Sequence, residues 1–178
     1  KMQVLRALSG STSIRNARFL SFTHIDSAGS PTMVDVGSKN VTKRTAIASS
    51  TIWLPDKVMA LLENGEMKSA KGPVFATAII AGTMACKRTH DLIPFCHPLG
   101  LESCKFRINQ SGSNNIVIEC TASITGKTGV EMEALTAVSV AALTVYDMCK
   151  ALSHDIVIKE TKLISKTGGK SDINLPSS

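Results

Sequence analysis

The sequence predicts an α+β fold, a single domain in which helices cover an antiparallel sheet. Three observations lead there. The chain has 178 residues, 43% hydrophobic and 19% charged, which is apolar material for one ordinary core. Strand-like and helix-like stretches follow one another without strict alternation, which disfavours a parallel sheet made of repeated strand–helix units. Between Glu133 and Asp147 no residue carries a charge, the pattern of a helix buried nearly all round.

Each element has its own signal. Thr42 to Leu54 alternates as a strand does, and Pro55-Asp56 then opens a helix that is expected to run to Asn64 and stop at Gly65. Lys71-Gly72-Pro73 breaks the chain, and Pro73 suits the first turn of a second helix over Val74 to Arg88. Pro94 and Pro98 hold Phe95-Cys96-His97 in a rigid non-helical loop. Strands near Leu101 to Asn109 and Ile116 to Ile124 flank the polar turn Gln110 to Asn115. The long helix covers about Glu131 to Leu152, with Leu135, Val138, Ala142, Val145, Cys149 and Leu152 as its core stripe, and short strands follow around Asp155 to Ile158 and Lys162 to Ser165. The domain is expected over 22–172, between a flexible basic segment 1–21 and a tail 173–178.

Charge and cysteine content exclude several classes. The formal charge is +6, yet residues 1 to 25 hold Lys1, Arg6, Arg15 and Arg18 with no acid, and the remaining 16 basic and 14 acidic residues nearly cancel. With Trp53 and Tyr146 the only Trp and Tyr, there is neither a basic stripe nor a set of stacking aromatics, so no nucleic-acid partner is expected. The charge-free runs are shorter than the roughly 20 apolar residues of a bilayer span, so no membrane partner is expected either. An odd count of five cysteines without close pairing favours reduced thiols and an intracellular setting. The acid-poor, Ser-rich head has the composition of an organelle transit segment or of a plain terminal tail, leaving cytoplasm or mitochondrial matrix open. Adjacent Cys96 and His97 make a poor tetrahedral metal pair, and no metal site is expected.

The polar chemistry gathers at the two ends of the long helix. Glu131 and Glu133 open it; Asp147 and Lys150, three apart and therefore neighbours, close it. The pair is either a routine ion pair at a helix end or, since an aspartate at the negative end of a helix dipole beside a buried stripe is out of place, a perturbed acid or base. Glu133 and Asp147 share nearly one face but stand about 21 Å apart along the axis. Either the ligand is long or the two ends serve sites completed by a second copy of the chain; the charge-free middle, too apolar for a small domain's surface, favours the second, so a homo-oligomer is expected. Gly126-Lys127-Thr128 fails as a phosphate-binding P-loop because Thr121 stands where a glycine is required. A Gly-rich turn at a helix N-terminus still offers backbone N–H groups to an anion. His97 is either a satisfied structural histidine or an acid–base or phosphate contact.

Six separated segments, in order, resemble one family: Met33-Val34-Asp35-Val36, Lys71-Gly72, Leu92 to Leu99, Thr128 to Thr136, Tyr146 to Lys150 and Lys166 to Lys170. The chain is similar over about residues 22 to 172 to the cyclic pyranopterin monophosphate synthases of molybdenum cofactor biosynthesis, the MoaC family. The resemblance implies a ferredoxin-like subunit in a hexamer of three dimers, with sites at the dimer interface. It implies a lyase that takes a cyclised dihydroguanosine triphosphate, supplied by a radical S-adenosylmethionine GTP cyclase, to cyclic pyranopterin monophosphate and pyrophosphate. On the matched motifs, Asp147 is the acid–base residue and Lys71 and Lys150 the essential cations. Phe95, Cys96, His97, Met132 and Glu133 fall on substrate-binding segments, and Glu131, Lys166, Arg44 and Asp35 on further pocket positions. No cofactor is implied, and the residues neither require nor exclude Mg²⁺ beside the triphosphate. Pro73 departs from the family pattern, which often has an acid after Lys-Gly, and it removes an N–H next to Lys71. A second reading, a silent oligomer that stores a nucleotide or pterin, needs the lysines but not Asp147.

Overall fold

A computed structural model describes residues 29–175; the basic segment 1–21 lies outside the described residues. Its centre is the strand β1 (Thr42–Trp53), which pairs antiparallel with β6 (Asn115–Gly126) on one side and β7 (Val157–Thr167) on the other. Strand β5 (Ser103–Ser111) joins the free edge of β6, and β8 (Ile173–Asn174) joins β7, giving the order β5-β6-β1-β7-β8. Period-two burial makes one face of this sheet apolar: Ala46, Ala48 and Ile52 from β1, Ile116, Ile118, Cys120, Ala122 and Ile124 from β6. Truncating Ile118 to alanine would cost roughly 2–5 kcal/mol.

Two long helices, α2 (Val74–Lys87) and α4 (Glu131–Cys149), lie side by side, with α4 against β1, β6 and β7. They run antiparallel, since Lys71 at the start of α2 meets Asp147 near the end of α4 while Gly82 meets Ala137. The glycine is required there. A Cβ at position 82 would stand 2.8 Å from the Ala137 carbonyl oxygen and against the Phe106 ring. The succession β1-α2-β5-β6-α4-β7 with this strand order is the ferredoxin-like β-α-β-β-α-β arrangement. All of it belongs to one compact unit that begins at Met33. By length and composition α4 would also span a bilayer, but its buried residues make it the core helix.

The structure differs from expectation at four points. The helix expected to reach Asn64 is a single turn, α1 (Asp56–Met59), followed by a small hairpin of β2 (Leu62–Glu63) and β3 (Glu66–Ser69), extended by β4 (Gly72–Pro73). Asn64 and Gly65 both adopt positive φ, 52° and 81°, as a tight hairpin turn demands, and Asn-Gly is the dipeptide that accepts it. The two short C-terminal strands are one continuous strand, β7, whose register against β1 shifts at two irregularities. A four-residue helix, α3 (Thr89–Leu92), follows α2 without having been anticipated. In the expected stripe of α4, Val138, Ala142, Val145 and Cys149 are buried. Leu152 falls beyond the helix and is exposed, and Ala134, Ala137, Ala141 and Met148 complete the buried surface.

Candidate functional site

The residues singled out by sequence fall into two groups, one at each end of α4. At its C-terminal end, Lys71 Nζ lies 2.9 Å from Asp147 Oδ2 and Lys150 Nζ 2.7 Å from Asp147 Oδ1, so one carboxylate holds two ammonium groups apart. Lys71 also donates to the Asp147 backbone oxygen at 2.9 Å. All three side chains are about half exposed. The hydrogen bonds from Lys150 and then Lys71 draw the Asp147 carboxyl down to a pKa of about 2, and the same carboxylate raises that of Lys150.

The turn that presents Lys71 is built from the hairpin. Pro73 begins α2 without a capping side chain of its own, and Glu66 takes that role from β3. Its Oε1 accepts from Phe75 N at 2.7 Å and its Oε2 from Ala76 N at 3.0 Å, a negative charge on the exposed N–H groups of the first turn. Ser69 Oγ accepts from Lys71 N and donates to the Gly72 carbonyl, closing the turn. Pro73 sits in this frame and leaves Lys71 in reach of Asp147.

At the N-terminal end of α4, no side chain caps the helix, and Glu131, Met132 and Glu133 form its first turn. Lys166 Nζ pairs with Glu131 Oε1 at 2.8 Å. Arg44 Nε donates to the Gly126 carbonyl at 3.0 Å and its Nη1 borders Gly169, which draws β1, the Gly126 loop and the end of β7 together. Asp35 accepts from Gly37 N at 2.7 Å, and Lys127 Nζ donates to the Gly37 carbonyl at 2.7 Å, tying the Asp35 turn to the same loop. Glu133 is buried, at 4% exposure. Burial raises its carboxyl from the ordinary 4.5 to about 7, against the pull of its own backbone N–H. Burial, and then the Glu133 charge, push up the Cys96 thiol. Phe95 and Met132 expose 40% and 38% of their surface. Within one chain the groups of Asp147 and Glu133 are not brought together, and roughly 21 Å of helix separates them.

Glu66 escapes sequence reasoning because Asn64-Gly65 reads as the end of a helix rather than as a hairpin turn. The Asn-Gly pair was the signal of the hairpin that carries it.

The MoaC family model matches residues 33–169. This chain belongs to the MoaC family. It is 57% identical over 158 residues to the cyclic pyranopterin monophosphate synthase of Xanthomonas axonopodis pv. citri (strain 306), covering 89% of this chain and 96% of the relative. It is 54% identical over 167 residues to molybdenum cofactor biosynthesis protein 1 of Dictyostelium discoideum, covering 84% of this chain and 26% of that protein. It is also 52% identical over 157 residues to the molybdenum cofactor biosynthesis bifunctional protein of Synechocystis sp. (strain ATCC 27184 / PCC 6803 / Kazusa), covering 86% of this chain and 45% of the relative. In the last two, the MoaC-like stretch is one part of a longer polypeptide.

Proposed function

We propose that the chain is a cyclic pyranopterin monophosphate synthase, a lyase that converts (8S)-3',8-cyclo-7,8-dihydroguanosine 5'-triphosphate to cyclic pyranopterin monophosphate with release of pyrophosphate in molybdenum cofactor biosynthesis. Family membership and the identity to the Xanthomonas enzyme over nearly its whole length support the reaction. The bifunctional relative supports a functional link to a neighbouring step of the same pathway. We assign that step to a radical S-adenosylmethionine GTP cyclase.

The observation that carries the mechanism is the Lys71–Asp147–Lys150 cluster. Forming a cyclic phosphate while pyrophosphate departs accumulates negative charge, and the remedy is positioned cations rather than covalent catalysis. Asp147 holds two ammonium groups spaced until phosphate oxygens draw them away. With a pKa of about 2, Asp147 has no proton to give near neutral pH, so it acts as an orienting carboxylate and, once the lysines turn to phosphate, as a base. Glu133, with a pKa of about 7, is matched to donating and accepting protons as the purine ring opens and the pterin ring closes. Glu131, Lys166, Arg44, Asp35, Met132 and the Phe95, Cys96 and His97 loop frame the heterocycle at that end.

One substrate uses both ends when a second copy sets the N-terminal end of its α4 against the Asp147 cluster of the first. The outer faces of α2 and α4 support such contacts, since Ile80, Met84 and Leu143 expose 55–63% of their surface. The hexamer of three dimers implied by the family extends this arrangement. An anaerobic assay with the cyclised triphosphate, reading pyrophosphate and pterin product, tests the assignment. The wild-type chain turns over, Asp147→Asn binds and stalls, and full activity in Asp147→Asn contradicts the role given to it.

A further inference from the structure

Away from both groups, three cysteines from three elements converge: Cys86 in the last turn of α2, Cys104 on β5 and Cys120 on β6. Their sulfur atoms all lie within 4.8 Å of one another, and Cys104 Sγ stands 3.6 Å from Cys120 Sγ. Cys86 and Cys120 are 1% and 0% exposed, while Cys104 is half-buried and gives the cluster one approach from the surface. All five cysteines of the chain carry free thiols.

The spacing distinguishes the uses of such a trio. Sulfurs sharing one ion at about 2.3 Å sit roughly 3.8–4.0 Å from each other, close to what is found. A disulfide requires a much shorter approach. The register pairs Cys104 with Ala122 and Phe106 with Cys120, so the two cysteines are diagonal across the strands. Diagonal Cα atoms stand about 7–8 Å apart, beyond the usual reach of a disulfide without backbone movement. Among the described residues no histidine or carboxylate joins the group, and the nearby Thr83 hydroxyl gives its proton to the Ile79 carbonyl at 2.8 Å. Zinc almost always takes four protein ligands in a structural site, whereas an all-sulfur trio suits a soft monovalent ion content with three.

We propose that Cys86, Cys104 and Cys120 form a three-coordinate thiolate site for Cu(I), clamping the C-terminal end of α2 to strands β5 and β6. As the ion enters, thiol protons leave to solvent and no electron changes hands. The site is separate from the lyase chemistry, because its three sulfurs line the buried side of α2 and belong to neither group of the substrate site.

The test uses the full chain, reduced and kept without oxygen, titrated with Cu(I) against a chromophoric chelator and separately with Zn²⁺. The wild type takes up one Cu(I) with three sulfur neighbours by X-ray absorption, and its melting temperature rises on binding. Cys104→Ala, at the half-buried position least able to disturb the fold, binds at least a hundredfold more weakly, whereas Cys149→Ala binds like the wild type. Equal binding by wild type and Cys104→Ala, absorption showing nitrogen or oxygen neighbours, or uptake of Zn²⁺ in preference to Cu(I) overturns the proposal. The absorption measurement on the wild type decides the matter even if Cys104→Ala fails to fold.

Discussion

Asp147 and Glu133 are both carboxylates of one helix, and their surroundings drive them apart: two ammonium groups hold one ionised, and burial holds the other protonated to about pH 7. Removing Lys71 or Lys150 by substitution with alanine should lower kcat/KM by about 10²–10³, the typical loss of a positioned charge in a phosphoryl site. Steady-state assays with the cyclised triphosphate check this. The pH profile of the enzyme should bend near 7 on account of Glu133 and show no limb from Asp147 above pH 4. Stability carries the same signature. Because the folded pKa of Glu133 lies above its ordinary value of 4.5, the folded chain binds the extra proton between those limits. Stability therefore falls as pH rises from about 4.5 to about 7, by on the order of 3 kcal/mol, and levels off above. Urea unfolding from pH 4 to 8 should show this decline in the wild type and not in Glu133→Gln, which should be the more stable chain at pH 8.

The hairpin is the element on which the Lys71 turn depends. Glu66→Ala removes the acceptor for two N–H groups of α2 and should cost about 1–2 kcal/mol of stability, measured by denaturant unfolding. It should also weaken substrate binding, seen as a raised KM, because the Lys71 turn loses its support. Gly82→Ala should cost about 1–3 kcal/mol by pushing α2 from α4. Much of the fold was legible: alternation marked β1, the polar turn from Gln110 to Asn115 marked the β5–β6 pair, and the uncharged stretch before Asp147 marked α4. What misled was local. Pro55-Asp56 does start a helix, but the chain leaves it after one turn because Asn64-Gly65 turns more favourably than it caps. Strand β7 looked broken because Lys159, Glu160 and Lys162 interrupt its apolar residues on an exposed stretch. At the site, Asp147 with Lys150 was readable from helical spacing, and Lys71 came from its motif. The Glu66 cap and the cysteine trio were not readable, since each joins residues that only the tertiary packing brings near.

At the scale of the molecule, the proposed sharing of sites between copies rests on the separation of the two polar groups along α4. Under the proposed function, the ammonium cluster at one end and Glu133 at the other serve one small substrate only across two chains, and exposed apolar residues on α2 and α4 are the surface proposed for that contact. The purified chain should therefore elute as an oligomer at micromolar concentration. The most direct measurement mixes two inactive chains, Asp147→Asn and Glu133→Gln, unfolds and refolds them together, and assays pyrophosphate release. If each site takes its lysines from one copy and its glutamate from the other, mixed dimers contain one intact site, and about a quarter of wild-type activity returns. If the mixture is as inactive as either variant alone, each chain carries its own complete site, and the shared-site account is wrong.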